Sequence, residues 1–370
     1  FWDGLVRTLT TDEAEKQNIN SRLDALRDRG LIFQREHSSI AENQEFIFKH
    51  ALLCDEAFET VLLKHRQNYH KQVAIWIEKN AGDRLDEHLA LIANHYLESD
   101  EKDEAADWFM RAGERALAQG SMQEARSHFE KALSLINQEN FQRIWQATLG
   151  HDEAVGALGE LDARHTDDRK LLELAEKLQD DKLFTEAYYR IGSQAYKEGD
   201  NLEALRAFDR ALKLADRTGE LLIQAEILAM KIAVLTYEGK TDTAGTLVEA
   251  ALALARKTRN ADVLAHALNN IALYYQFIGD ISKSVQLMQQ TIDINQRQGN
   301  RLGETFGLIN LGYFYLSLGQ FEDGYNLLAR ALQISQRLGA KFCIAYSMLN
   351  LGLAEWRLGH SGKACEILEN

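Results

Sequence analysis

The sequence predicts an all-α solenoid of about seven stacked helix pairs behind a small N-terminal module, and three observations predict it. Glycines stand at Gly120, Gly159, Gly199, Gly239, Gly279, Gly319 and Gly359, spaced by 39 residues once and by 40 residues five times. Five residues after the glycine a small residue recurs (Ala125, Ala204, Ala244, Ser284, Gly324, Ala364), and nine after it a large apolar one (Phe129, Phe208, Val248, Met288, Leu328, Leu368). The 370 residues include no proline, which long helices joined by glycine turns tolerate and a loop-rich or all-β fold seldom does.

Composition narrows the function. Hydrophobic residues make up 45% and charged residues 26%, as in a globular rather than a disordered chain. The net charge of −14 argues against nucleic acid as the main ligand, because neutralising phosphates takes clustered Lys and Arg. No apolar run reaches the roughly 18 residues a membrane span needs, and no signal peptide opens the chain, so a cytoplasmic location is expected. Cys54, Cys343 and Cys365 show no CxxC spacing and are expected to be reduced, buried thiols. The chain opens on Phe1 rather than Met, and we read it as part of a longer protein.

In order along the chain, residues 1–80 fall outside the 40-residue frame. Thr11 or Asp12 caps a helical pattern carrying Leu23, Leu26 and Leu31, which Gly30 ends. Segments 31–39 and 44–53 read as two short strands around a polar turn, followed by a helix with Ala57, Phe58, Val61 and Leu62. Helix, wing and helix in that order predict a winged-helix-like module over 1–80. Residues 81–180 read as a helical linker with irregular first repeats. The unit at Gly159 keeps the frame poorly, with Arg164 and Asp168 at the small and large positions. Over 181–370 the frame is regular with the last repeat incomplete, and the small-large alternation suits two antiparallel helices whose backbones approach closely. Helices are expected near 182–198, 202–218, 221–238, 242–258, 261–278, 282–298, 302–318 and 322–338. The glycines between them supply the left-handed residue that follows a helix end.

The segments 188–212 (YYRIGSQAYKEGDNLEALRAFDRAL), 308–332 (LINLGYFYLSLGQFEDGYNLLARAL) and 348–368 (MLNLGLAEWRLGHSGKACEIL) resemble the tetratricopeptide repeat, whose pattern is W/L-x2-L-G-x2-Y-x3-G-x4-A-x3-F-x2-A. The usual 34-residue period is lengthened to 40 here and its closing proline is absent. The resemblance implies a right-handed superhelical solenoid of long-helix repeats. The segments FWDGLV (1–6), LRDRGLIFQRE (26–36), EFIFKHALLCDEAFETVL (45–62) and YHKQVAIWIEK (69–79) resemble the region downstream of the nucleotide-binding core in bacterial STAND-type signalling ATPases, including those fused to class III adenylyl or guanylyl cyclases or to kinases. That resemblance implies a module packed against a nucleotide-binding domain of the same chain, with the repeats as sensor or inhibitory arm. No GxxxxGK[ST] occurs, so ATPase or cyclase chemistry is expected only upstream of Phe1.

No residue constellation points to catalysis or to a cofactor. His88 and His95 are seven apart and His65 and His70 five apart, neither the spacing of a zincin, and we expect surface or capping histidines. Asp100, Glu101, Asp103 and Glu104 open a helix, where they complement its dipole. In tetratricopeptide superhelices the first helix of each pair lines the groove. The stripe two, three, six, ten and thirteen residues before each glycine includes Tyr189, Tyr196, Tyr237, Asn269, Gln276, Phe277, Tyr313 and Trp356, which we take as the candidate sites for a protein or peptide partner. Ala229, Ala233, Thr236, His266, Phe306, Ile309, Leu316, Tyr346 and Leu349 share it. Asn270, Asn310 and Asn350 recur nine before the glycine and are expected to bond backbone between helices. The alternative reading is a transcription-regulator fragment whose winged module contacts DNA through Lys64, Arg66, Lys71 and Lys79.

Overall fold

A computed structural model of the protein describes residues 1–369, apart from the side chains of Ala51, Asp55 and Ala57. The chain divides into two compact units, Phe1–Gln179 and the residues from Asp180 onward. The first unit opens with three short helices, α1 (Asp3–Leu9), α2 (Glu13–Gln17) and α3 (Ile19–Asp28). Asp12 caps α2 by accepting from the amides of Ala14 and Glu15. The single helix expected after Thr11 is therefore two, broken at Asn18, and Leu31 lies beyond its end.

The expected strands are shorter than their apolar runs. β1 (Ile32–Gln34) pairs antiparallel with β2 (Phe46–Phe48), Phe33 opposite Ile47. Ile19, Leu23, Ile32 and Phe46 form their core, with Phe1 stacked on Phe46 at 5.7 Å. α4 (Ala51–Glu59) takes up the rest of the second run. Val61 and Leu62, expected on its face, lie after its end, with Leu62 72% exposed; Ala57 lies outside the described side chains. α5 (Leu63–Asn80), a 3-10 turn (Gly82–His88) and α6 (Leu89–Glu98) follow.

Paired helices then run to the end of the unit: α7 (Lys102–Ala118) with α8 (Met122–Leu135), and α9 (Phe141–Leu158) with α10 (Leu161–Leu178). His65 is exposed, as expected, but His88, His70 and His95 are not surface residues. His88 is buried with its ring against Trp2, and the Nδ1 atoms of His70 and His95 lie 2.8 Å apart.

The α9–α10 pair is regular in backbone, each helix 18 residues long, and irregular in chemistry. Arg164 and Asp168 occupy the places of an alanine and a phenylalanine, so the crossing is filled by ionisable groups. Arg164 pairs with the fully buried Asp152 at 3.1 Å, and His151 Nδ1 meets Asp167 Oδ2 at 2.6 Å. Glu130 on α8 lies 3.8 Å from His151. Asp168 Oδ1 is buried with no hydrogen-bond partner among the described residues. Burial and the neighbouring Asp152 push the Asp168 carboxyl up to about 6. Burial works against charge on His151, but Asp167 and Glu130 outweigh it and hold the imidazole above its ordinary value.

Both folded values are raised, so both contributions to stability are present at low pH and lost as pH rises through the folded pKa. For Asp168 that window runs from near 4 to about 6 and is worth about 2–3 kcal/mol. The first unit should melt lower at pH 7 than at pH 5 by more in the wild type than in Asp168→Asn, and calorimetry at the two pH values measures the difference.

The second unit contains α11 (Asp181–Glu198), α12 (Asn201–Thr218), α13 (Leu221–Tyr237), α14 (Thr241–Thr258), α15 (Ala261–Phe277), α16 (Ile281–Arg297), α17 (Arg301–Ser317), α18 (Phe321–Leu338), α19 (Lys341–Arg357) and α20 (Ser361–Glu369). The eight helices expected here match within one residue at each end. All seven frame glycines have φ between 72° and 87°. A second series, offset by 20 residues, was invisible as a glycine pattern: Gln179, Gly219, Arg259, Gly299 and Gly339 also take positive φ. An Asp or Asn often follows the left-handed residue and caps the next helix, as Asp200 does for Glu203 N, Asp280 for Lys283 N and Asn300 for Gly303 N.

The small-large frame is the helix crossing itself. A Cβ added at Gly192 would meet the Phe208 ring at 2.7 Å, one at Gly312 would meet Leu328 Cγ at 2.8 Å, and one at Gly352 would meet Leu368 at 2.7 Å. Phe208 is fully buried, which alone contributes roughly 1.5–3 kcal/mol. The cysteines depart from expectation: Cys343 is buried, whereas Cys54 on α4 and Cys365 on α20 are exposed.

Candidate ligand-binding groove

The groove is built by the first helices of the pairs in the second unit: α11, α13, α15, α17 and α19. They follow one another at 40-residue steps, so equal positions on successive helices fall into lines. Within this unit every exposed aromatic side chain among the described residues lies on them: Tyr237, Phe277, Phe306, Tyr313, Phe342, Tyr346 and Trp356. The second helices keep their aromatics inward, Phe208 fully buried and Phe321 and Tyr325 partly so.

The rings meet across helices. Tyr196 lies 6.1 Å from Tyr237, and Tyr237 lies 5.6 Å from Phe277 edge-on. Phe306 contacts Phe342 at 6.3 Å, and Phe342 stacks on Tyr346 at 5.9 Å. The Tyr196 hydroxyl donates to Tyr237, and burial with this bond raises its pKa to about 12. Burial raises Tyr237 too, and Tyr346 and Tyr313 lie close enough to raise it further. The structure thus brings Tyr196, Tyr237, Phe277 and Tyr313 to one face, half-buried or about half exposed, as anchors that keep apolar area available.

Other expected residues sit differently. Tyr189 packs on Phe208 at 6.0 Å and donates to Glu226, both raised in pKa by burial, which makes it largely a packing residue. Gln276 is half-buried on the groove helix α15. Trp356 is 56% exposed, and Arg357 covers its ring at 5.0 Å. Ala229, Ala233 and Thr236 are buried, as are Ile309 and Leu316. The neighbouring first helix α15 packs closely on α13, and Leu316 packs into the α17–α18 crossing beside Gly324, so burial removes these positions from the groove. The recurrent asparagines do not bond backbone between helices. Asn310 Nδ2 donates to Asn269 Oδ1 at 2.9 Å, joining α17 to α15 by side chains. Asn270 contacts His266 at 3.2 Å and Asn350 donates to Tyr346 O of its own helix.

Phe342 and Glu226 were missed; Phe342 stands one helical turn before Tyr346 on the same face, a signal present in the sequence. In the N-terminal module two of the four cations of the DNA reading are engaged. Arg66 stacks on Phe58 at 4.6 Å and donates to Val61 O, and Lys71 pairs with Glu101. No helix among the described residues is long and apolar enough to cross a membrane.

Residues 223–297 match the tetratricopeptide repeat family. None of the curated proteins compared with the chain matches it. Solved structures of low identity share the fold. The aspartyl phosphate phosphatase F of Bacillus subtilis superposes with TM-score 0.57 at 13% identity over 77% of this chain and 74% of its own. A Rap protein complexed with Competence and Sporulation Factor gives 0.53 at 16% identity over 78% and 80%. A signal-transduction ATPase (STAND) with a tetratricopeptide repeat sensor from Pyrococcus horikoshii gives 0.50 at 12% identity, over 99% of this chain but 61% of that one. The solenoid is thus a tetratricopeptide-type array, and its groove is the surface to which the helix order assigns the exposed rings.

Proposed function

We propose that the protein is a non-catalytic, tetratricopeptide-type sensor or scaffold that holds a protein or peptide segment against the aromatic face of α13, α15 and α17. The observation that carries this reading is the confinement of exposed aromatics to the groove helices, since a solvated surface has no reason to sort rings by helix. The complex of the similar Rap protein supports it. In the finer reading the array is the regulatory arm of a cytosolic bacterial signalling ATPase, and the N-terminal module docks on a nucleotide-binding domain of the same chain. The likeness along nearly the whole chain to the STAND protein supports that, as do the module's exposed apolar residues, which include the paired Phe33 and Ile47, and Leu52 and Leu63.

The test replaces Phe277 and Tyr313 by Ala together in a chain whose partner has been identified by capture. Helicity by circular dichroism should be unchanged, and affinity should fall about 30-fold or more, since even one anchor residue carries roughly 2 kcal/mol or more. Unchanged affinity in this double variant, with loss on replacing the outward Arg206, Lys283 or Gln333, refutes the groove.

A further inference from the structure

One repeat breaks the array's own rule, and it does so beside a cavity. At the position sixteen before the frame glycine the repeats carry Leu183, Ile223, Val263 and Cys343, but α17 carries Gly303. At twelve before it stand Ala187, Ile227, Ala267 and Ser347, but Gly307 in α17. Across from them α16 has Asn295 where the neighbouring repeats have Ala215, Ala255 and Ser335. Asn295 takes up the space a side chain at Gly303 would need, which sets its amide in the wall of a cavity of about 330 Å³ bounded by α15, α16 and α17, at the lower end of small-ligand sites. His266, Asn269, Asn295, Asn310 and Phe306 line it.

Most of the lining surface is apolar, and the polar groups set in it, among them His266, Asn269, Asn295 and Asn310, are an imidazole and amides. Burial lowers the His266 pKa, so the imidazole is neutral at pH 7. No Lys or Arg lines the cavity, and its single carboxylate, Asp262, would repel an anion. The Asn310–Asn269 bond uses one amide hydrogen and one amide oxygen, leaving the Asn269 amide nitrogen to donate and the Asn310 oxygen to accept. Flipping both amides reverses the roles but still leaves one donor and one acceptor. A donor beside an acceptor is the complement of a carboxamide. A carboxylate offers only acceptors and would leave the Asn310 oxygen facing a charge.

We propose that this cavity is a specificity pocket that admits the neutral carboxamide side chain, Gln or Asn, of a segment bound in the groove and rejects the corresponding carboxylate. It rests on the groove reading above and adds to it a choice of side chain. Specificity then comes from leaving the pocket's amides unpaired when the wrong group enters.

The test uses protein labelled with 15N-asparagine and three capped probes: N-acetylglutamine methylamide, N-acetylglutamate methylamide and N-acetylmethionine methylamide. The glutamine probe should shift the side-chain amide signals of Asn269 and Asn310 with a Kd of roughly millimolar order, and the other two should bind at least tenfold more weakly. The variant carrying Gly303→Leu with Asn295→Ala restores the residue types of the other repeats. It should melt at or above the wild-type temperature and lose the response. Should that variant fail to fold, Asn269→Leu removes the donor alone and should also abolish the shifts. Equal shifts from the glutamate or methionine probe, or none from the glutamine probe up to about 50 mM, overturn the pocket. Tighter binding of free L-glutamine than of the capped form assigns the pocket to a free amino acid and overturns the peptide source. None of these results touches the Phe277 and Tyr313 test, so pocket and groove fail separately.

Discussion

Gly312→Val and Gly324→Val should each destabilise the second unit by about 3 kcal/mol, lowering its melting temperature by roughly 6–12 °C. These two glycines face each other where α17 crosses α18. A Cβ at Gly324 would stand 2.8 Å from the Gly312 carbonyl oxygen, and one at Gly312 would stand 3.2 Å from the Gly324 oxygen. Backbone cannot rotate out of the way as the end of a side chain can, so the helices must separate. Separation uncovers Leu328, which is fully buried in the same crossing. The matched control is Gly362→Ala on α20, where an added Cβ meets nothing within 4 Å. That change should be neutral or gain up to about 1 kcal/mol from helix propensity. Thermal melts followed at 222 nm distinguish the three. A melt of Gly324→Val superimposable on wild type would show that the crossing is looser than its geometry implies.

Arg164→Leu should cost the first unit about 3–5 kcal/mol at pH 7.5, the range for removing one member of a buried pair. Arg164 is nearly buried and Asp152 wholly so. Leucine fills much of the space but leaves Asp152 charged between α9 and α10, beside Asp167 and Asp168. The same variant should lose less at pH 5, because Asp168, whose carboxyl is pushed up to about 6, then adds less negative charge beside Asp152. Arg164→Leu together with Asp152→Leu should recover most of the loss, since two apolar side chains replace two charges. Urea titrations at the two pH values measure all three quantities. Equal destabilisation by the single and double variants would mean that packing, and not the loss of the Arg164 charge beside Asp152, sets the cost.

The solenoid was legible because its determinants are local and repeated. A left-handed residue after a helix favours glycine, and a close crossing demands a small residue opposite a large one, so both leave a 40-residue imprint. The intervening turns were not legible, because Gln179 and Arg259 take the same backbone conformation without glycine. The hairpin's extent was overestimated for a related reason: an apolar run such as 44–53 serves strand and helix alike, and the chain switches between them at His50. Within the groove, Tyr237, Phe277 and Tyr313 could be read from position alone. Ala229 and Ala233 could not, because the same stripe that faces the groove at large residues is covered by the adjoining helix where residues are small. The buried charges at Asp152, Arg164 and Asp168 stood out only as a lapse in the frame, since their pairing depends on two antiparallel helices meeting in space. The amides of the α15–α17 cavity stayed hidden likewise, for Gly303 reads as an ordinary helix residue until its counterparts are seen to be bulky.

From residue 179 to residue 359 the backbone enters the left-handed region at every twentieth position without exception. Each joint therefore presents the same geometry to whatever precedes and follows it. A 40-residue stretch between two equivalent joints, such as 240–279, is a cassette: cutting it out or copying it rejoins the chain with the same kind of turn and the same capping position. Length becomes a quantity that gene duplication can adjust in fixed increments, lengthening or shortening the reach of the array while the backbone of every joint stays the same.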